Sequence, residues 1–309
     1  MARIVLPRLI QLGFTLLGVF IVLFVITRLS GDPVALLLGP SATTESIAQL
    51  RSAMGLDRPL WAQFTGELLG AMRLDFGVSL RGGQDALTLA LGHLAVSLQL
   101  VAGALAFAVA LAVPVGVIAA VWPRSWLARL LMSVAFVGQA VPIFFSAPLL
   151  ILLFAVSWHM LPTSGWGSWA QMVLPVVALG LVLMAKVARV MRAQMLEVLS
   201  QDYIRTARSK GLNGWHVVVV HALRNAMVPT VTVIGADLGQ LIGSAVLTES
   251  IFAVPGLGHM LLTAALARDY PLLQAGIFLT AVFVVSLNLV VDVLCAMLDP
   301  RIRAAGARG

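Results

Sequence analysis

One acid stands alone in the apolar run from Thr230 to Thr248. Asp237, Gln240, Ser244 and Thr248 are spaced i, i+3, i+7 and i+11, which places them on one face of a helix. An acid at the centre of a membrane helix costs about 2.5–3.5 kcal/mol on insertion scales. The stripe is therefore expected to border a hydrated passage for a polar solute; the other reading is that Asp237 and Gln240 only hydrogen-bond to neighbouring helices. Gly235, Gly239 and Gly243 form a small-residue stripe on a roughly opposite face, which predicts close packing on a neighbour. Asn288 and Asp292 share a face of the last apolar run at i, i+4, near its end, where water is closer.

A second group of polar residues lies between Tyr203 and Pro229, where six residues are Arg, Lys or His although apolar runs lie on both sides. The pattern predicts two helices with a break. Leu196, Leu199, Tyr203 and Ala207 fall on one face of the first, with Arg205, Arg208 and Gln201 turned away from it. Gly211 is the natural stop after Lys210, and Asn213 is the expected cap of the next helix, which presents Trp215, Val218 and Val219. A short exposed helix pair with a basic face and a large aromatic has the chemistry of a partner-docking surface.

Other candidates carry less. Lys186 is expected to snorkel from a helix end. His93 reads as a packed histidine, and His216 and His221, five apart, have a poor metal spacing. No metal cluster is expected, and Cys295 is the lone cysteine, which excludes disulfides within the chain. The sequence has no G-x-x-x-x-G-K-[ST], no G-x-S-x-G and no H-E-x-x-H. The expectation is a chain that is not an enzyme and whose energy source lies elsewhere.

The elements that must position these residues are membrane helices. The 309 residues are 60% hydrophobic and 11% charged, with a mean hydropathy of +1.01, whereas soluble domains carry about 25% charged residues. Runs without Asp, Glu, Lys or Arg extend over Leu9–Thr27, Ala86–Pro123 and Leu130–Ala185, the last being long enough for two spans with a break at Ser157–Trp169. Two further apolar runs follow, Thr230–Thr248 broken only by Asp237 and Leu272–Leu298 broken only by Asp292. Six spans are predicted, at about Leu9–Thr27, Leu94–Val121 and Leu130–Val156 (kinked at Pro142 and Pro148), and from near Pro175, Pro229 and Leu272. The first is expected to be a retained helix and not a cleaved signal.

With the N-terminus inside, the inner segments hold 14 of the 20 basic residues, and the outer ones hold eight of the 13 acids. Both termini and the 203–229 passage are thus expected in the cytoplasm. In the outer segment, "TESIAQLRSAMGL" reads as a helix capped by Thr44 or Ser46 and ended by Gly55, and "PLWAQFTGELLGAMRL" as another.

The stretch "RTARSKGL" to "HALRNAMVP" resembles the EAA coupling loop of bacterial ABC-importer permeases, in the form of the branch that imports dipeptides, oligopeptides and nickel. Arg205, Thr206 and Ala207 stand where that motif has Glu-Ala-Ala, Gly211 matches its glycine, and Pro229 comes later than its proline. "RLSGDPV", "MGLDRPLWAQF", "LDFGVSL", "VPIFFSAPLL", "LPTSGW" and "LTESIFAVPGLGHMLLTAALARDYPLLQ" are similar to the first-permease subunit of the same branch, so the resemblance covers nearly the whole chain.

The resemblance implies an all-α type I permease fold with six transmembrane helices. Its divisions are residues 1–29, an outer segment 30–93, a core 94–298 with the coupling loop about 192–228, and a tail 299–309. It implies an importer of di- or oligopeptides working by alternating access, with nickel, metal-chelate or glutathione import as the alternative cargoes. An ATP-independent secondary transporter or channel, or a purely structural membrane subunit, are the rivals of another class.

Arg205, Thr206, Ala207, Arg208, Lys210, Gly211, Leu212 and Trp215 would then meet an ATPase subunit. Glu249, Ile251, Phe252, Pro255, Gly256, Leu257, Gly258, Arg268, Asp269 and Tyr270 would lie at the outer gate, near a docked binding protein. Pro255, Gly256 and Gly258 are expected to form a tight re-entrant turn, with Ile251, Phe252 and Leu257 as its apolar tip. The implied partners are a second permease, two ATPases and an extracytoplasmic binding protein in the inner membrane. No cofactor is expected on this chain, and ATP and Mg would sit on the ATPases.

Overall fold

The computed structural model describes residues 2–29, 43–53 and 55–298, without the side chains at 2–9, 12, 29, 50, 53 and 291–298. The "SGDPV" segment, the C-terminal tail and the side chains of Asp292 and Cys295 lie outside the described residues. The described residues are mainly helical, with α1 (Ala2–Leu29), α2 (Thr44–Ala53), α3 (Leu60–Met72), α4 (Ala86–Val121), α5 (Trp126–Ala140) and α6 (Ile143–Ser157). There follow α7 (Trp169–Leu199), α8 (Asp202–Ser209), α9 (Gly214–Ile251), α10 (Leu257–Ala267) and α11 (Tyr270–Leu298).

Among the described residues, α4, α7, α9 and the Tyr270–Val290 part of α11 are long and apolar enough to cross a membrane, and the bent pair α5–α6 makes a fifth span if counted as one. At the position of the first predicted span stands α1, whose described apolar stretch is the shorter Gly13–Arg28.

Four helix boundaries differ from the sequence reading, each for a local reason. α4 starts at Ala86 and not near Leu94, because Asp85 Oδ2 accepts from the Thr88 N–H and hydroxyl at 2.8 and 2.7 Å and caps the first turn. α7 starts at Trp169 and not at Pro175: Ser168 Oγ accepts from Gln171 N while Gln171 Oε1 accepts from Ser168 N, a reciprocal capping box. Pro229 lies inside α9, which begins at Gly214. The expected kink in the third span is a break of 113° between α5 and α6. Val141 is extended there (ψ 116°) because a residue before proline is driven out of the helical region, and Pro142 is extended too (ψ 149°). The cap of α2 is Thr43, whose hydroxyl accepts from Ser46 N at 3.2 Å, and Gly55 (φ +67°) follows its end.

The chain forms two compact units. In the first, residues 1–97 and 255–285, Phe20, Ala71, Phe76, Ala86, Ala90, Leu257, Met260 and Ala275 make the core. Phe64 meets Phe20 and Phe24 edge-on, and Arg28 pairs with Glu67 at 2.5 Å while lying over Phe24. Glu67 also accepts from Gln274 Nε2 at 2.8 Å, so one carboxylate holds α1, α3 and α11 together.

In the second unit, residues 98–254 and 286–309, Leu100, Ala104, Ala108 and Ala112 of α4 line up on one face. They pack with Leu179, Leu183, Val187 and Ala188 of α7 and Leu238, Leu241 and Ala245 of α9. Small residues let the α4 and α7 backbones approach. A Cβ at Gly180 would sit 2.8 Å from the Ala104 carbonyl oxygen, and one at Gly116 would sit 2.8 Å from that of Ala188.

Candidate functional site

Asp237 has a partner that its own helix does not supply. Lys186 Nζ donates to Asp237 Oδ1 at 2.6 Å, from the interior of α7 to the interior of α9. Lys186 is thus not a snorkelling residue at a helix end, because α7 starts earlier and runs to Leu199. The Lys186 side chain is 40% exposed and that of Asp237 13%, so the rest of the chain leaves the pair open on one side.

That side is a cleft of about 280 Å³ lined by Gln139, Pro142, Lys186, Asp237, Gln240 and Ser244 among others. Three elements build it: the α5–α6 break supplies Gln139 and Pro142, α7 supplies Lys186, and α9 supplies the rest. Asp237, Gln240 and Ser244 are brought together as their spacing predicts. Thr248 is not with them: it is fully buried, with its hydroxyl bonded back to the Ser244 carbonyl at 3.1 Å. The glycine stripe is covered within this chain only at Gly235, which is buried. α9 packs through Leu238, Leu241 and Ala245, while a Cβ at Gly239 or Gly243 would meet nothing within 4 Å. Spacing identifies a small-residue face but not which face is covered.

The α8 region is the second candidate. The helix buries Ile204 and Ala207 against Met191, Met195, Val217, Val218, Ala222 and Ala226. The predicted face of Leu196, Leu199, Tyr203 and Ala207 holds only in part, since Leu196 and Tyr203 are exposed. The helical phase is reset where α7 ends at Ser200 and Gln201 turns extended (ψ 149°) ahead of α8.

α8 ends as the sequence predicts. Gly211 takes φ +78°, its N–H reaches the Arg208 carbonyl at 3.0 Å, and Leu212 N reaches that of Ala207 at 3.4 Å. Asn213 Oδ1 accepts from Trp215 N at 2.9 Å and caps α9. Arg205, Thr206, Arg208, Lys210, Gly211 and Leu212 are exposed, as is Trp215 at 68%. Arg205 meets Asp202 only at 3.7 Å, with both side chains in solvent. Residues 217–223 of α9 are π-helical, which brings His216 and His221, five apart, into edge-on ring contact.

The remaining candidates fall into the two units separately. In the second unit α9 ends with Ala253 in the left-handed region (φ +49°), and Val254 N bonds to the Glu249 carbonyl at 2.9 Å. Glu249 and Phe252 are buried, Ile251 is half-buried, and Gly165 N donates to the Phe252 carbonyl at 3.0 Å.

In the first unit Gly256 precedes α10 with φ −90°, so its glycine freedom is unused. Leu257 and Gly258 are buried in α10. Leu257 N donates to Ser97 Oγ at 2.7 Å, and His93 Nδ1–H donates to the Pro255 carbonyl at 2.7 Å. Phe252 and Leu257 are therefore core residues and not an apolar tip. Arg268, half-buried, closes α10 at φ +53°. Asp269, 2% exposed, accepts from Ser79 Oγ at 2.6 Å and from Leu272 N at 3.3 Å, which caps α11; Tyr270 beside it is buried too.

Residues 112–304 match the family model described as "Binding-protein-dependent transport system inner membrane component". The chain is 38% identical over 336 residues to the dipeptide transport system permease protein DppB of Escherichia coli K12, across 98% of this chain and 99% of that one. It is 40% identical over 304 residues to the glutathione transport system permease protein GsiC of the same organism, with the same shares covered. The fold is similar to an inward-facing MetNI methionine ABC transporter chain, with a TM-score of 0.58, 17% identity, and 68% and 96% of the two chains covered. It is also similar to an amino acid ABC transporter (TM-score 0.50, 16% identity, 69% and 94% covered). With helices that cross the bilayer several times and an end-to-end match to such permeases, the chain belongs to the family of binding-protein-dependent transport system inner membrane components, as a multi-pass permease of the ABC-importer type.

Proposed function

We propose that this permease carries short peptides into the cytoplasm as one half of a heterodimeric pore. Two ATPase subunits would drive it and an extracytoplasmic binding protein would load it. The observation that carries the cargo is the near-complete match to two permeases named for dipeptide and for glutathione, both of them peptides. Both termini lie in the cytoplasm, in keeping with the excess of Lys and Arg in the segments assigned to that side.

In this reading the exposed Arg205, Arg208, Lys210, Leu212 and Trp215 seat in an ATPase subunit, with Thr206, Ala207 and Gly211 shaping the helix that presents them. The buried Ile204 and Ala207 fasten that helix to α7 and α9, so movement of the ATPases passes into the helices that line the cleft. Asp237, Gln240 and Ser244 border the path. The binding protein docks on the opposite side, in keeping with the resemblance of Leu247–Gln274 to the outer loop of such permeases. ATP and Mg are held by the ATPases.

Gentle purification from native membranes through a C-terminal tag, with mass spectrometry of what is retained, tests the assembly. A P-loop ATPase and a second permease are expected, with the ATPase lost on Arg205→Glu with Arg208→Glu. Recovery of this chain alone, still moving solute without ATP, would sink the reading in favour of a self-sufficient transporter.

A further inference from the structure

The ion pair in the cleft has spare capacity. Lys186 spends one of its three N–H donors on Asp237, and Asp237 spends one lone-pair site of about four on Lys186. The cleft they share adds the amides of Gln139 and Gln240 and the hydroxyl of Ser244. The start of α6, at Pro142 and Ile143, also borders it, and the N-terminal end of a helix favours negative charge. One small open space thus holds an exposed cation with a helix N-terminus, and a carboxylate.

We propose that Lys186 and Asp237 form an exchangeable charge pair that reads the two ends of the cargo, with the peptide carboxylate taking Lys186 and the peptide ammonium taking Asp237. The inference rests on the peptide-import reading above. Dipeptides and glutathione share a free ammonium and a free carboxylate, to which glutathione adds a second carboxylate; a dipeptide with neutral side chains is a zwitterion. For such a zwitterion the exchange is balanced. One ion pair opens and two form, no net charge enters the membrane interior, and neither protein charge is left unpaired, which is the costly case for a buried pair. When the peptide leaves, Lys186 and Asp237 close on each other again. A cargo with one charge leaves either the lysine or the aspartate alone. A volume of about 280 Å³ lies just under the usual range for ligand pockets, room for the charged groups of a short peptide.

The experiment uses the complete importer, with both permeases, ATPases and binding protein, in proteoliposomes with radiolabelled Ala-Ala. Uptake is expressed per ATP hydrolysed, which removes the binding protein's own selectivity from the comparison. The double variant Lys186→Met with Asp237→Leu replaces a charge pair by an apolar one, a change that folded proteins tolerate well. It is expected to keep ATP hydrolysis stimulated by the loaded binding protein within about two-fold and to lose uptake by at least ten-fold. The charge swap, Lys186→Asp with Asp237→Lys, is expected to transport better than either neutral single variant, Lys186→Met or Asp237→Asn.

Undiminished uptake by the apolar double variant overturns the proposal. Equal loss of uptake and ATP hydrolysis does so too, because it assigns the pair to assembly. A wild-type importer that moves no peptide would instead overturn the peptide reading itself, and the two failures are distinct.

Discussion

Asp85 shows how one side chain sets where a long helix begins. It is fully exposed, and the Thr88 hydroxyl, followed by the Thr88 N–H, holds its carboxyl below the ordinary value. Because the folded-state value is depressed, the cap's contribution is complete above the unfolded carboxyl's titration and is lost as pH falls through the folded one. Thr88→Val removes the larger cause, so the first turn of α4 should loosen at a higher pH than in wild type. Hydrogen exchange of the Thr88–Ala90 amides, compared between the two proteins over about pH 3 to 6, checks this; coincident profiles would contradict it. Asp85 and Thr88 are legible as a cap and the uncharged run begins at Ala86, so the expected start near Leu94 leaves out two turns that the sequence marks. Lys186 is illegible for a different reason. Its partner is 51 residues away, and no local pattern announces a contact between two helices.

At the scale of elements, turn chemistry was the most legible and face assignment the least. Gly211 and Asn213 end α8 and start α9 where spacing and residue type place them, since both act on the backbone next to them. Pro175 and Pro229 misled because proline at a first turn is favourable but not obligatory, and α7 already had the stronger Ser168–Gln171 box upstream. The glycines show the same limit. Gly235, Gly239 and Gly243 have the regular spacing, yet the α4–α7 approach runs through Gly116, which continues the spacing of Ala104, Ala108 and Ala112, and through Gly180. Gly180→Ala brings a Cβ to 2.7 Å from the Phe107 ring and 2.8 Å from the Ala104 carbonyl oxygen. It is expected to destabilise by about 1–3 kcal/mol, lowering the thermal midpoint of the detergent-solubilised importer. Gly66→Ala, with nothing within 4 Å, is the comparison and should be neutral or mildly stabilising. Equal midpoints for the two variants would remove the close approach from the explanation.

For the molecule as a whole, composition and hydropathy carry the membrane assignment, and the Lys/Arg distribution carries the orientation. The orientation has a direct measurement. On a Cys295→Ala background, Arg124→Cys should react with a membrane-impermeant maleimide only in inside-out vesicles, and Thr65→Cys, on exposed α3, only in right-side-out spheroplasts. The reverse pattern would invert every assignment of side made here. The alanine ladder of α4 has a consequence for how such a permease moves. Ala104, Ala108 and Ala112 have no rotamers, so the α4 side of the interface freezes no side-chain entropy on closing, and what is frozen falls on Leu179, Leu183 and Val187 of α7. Interdigitated leucines would ratchet between discrete registers; along the alanines α7 meets a nearly smooth track, while the backbone contacts at Gly116 and Gly180 set how near the helices come. Such an interface has low friction for sliding, as the shear of packed helices requires, at no cost in contact.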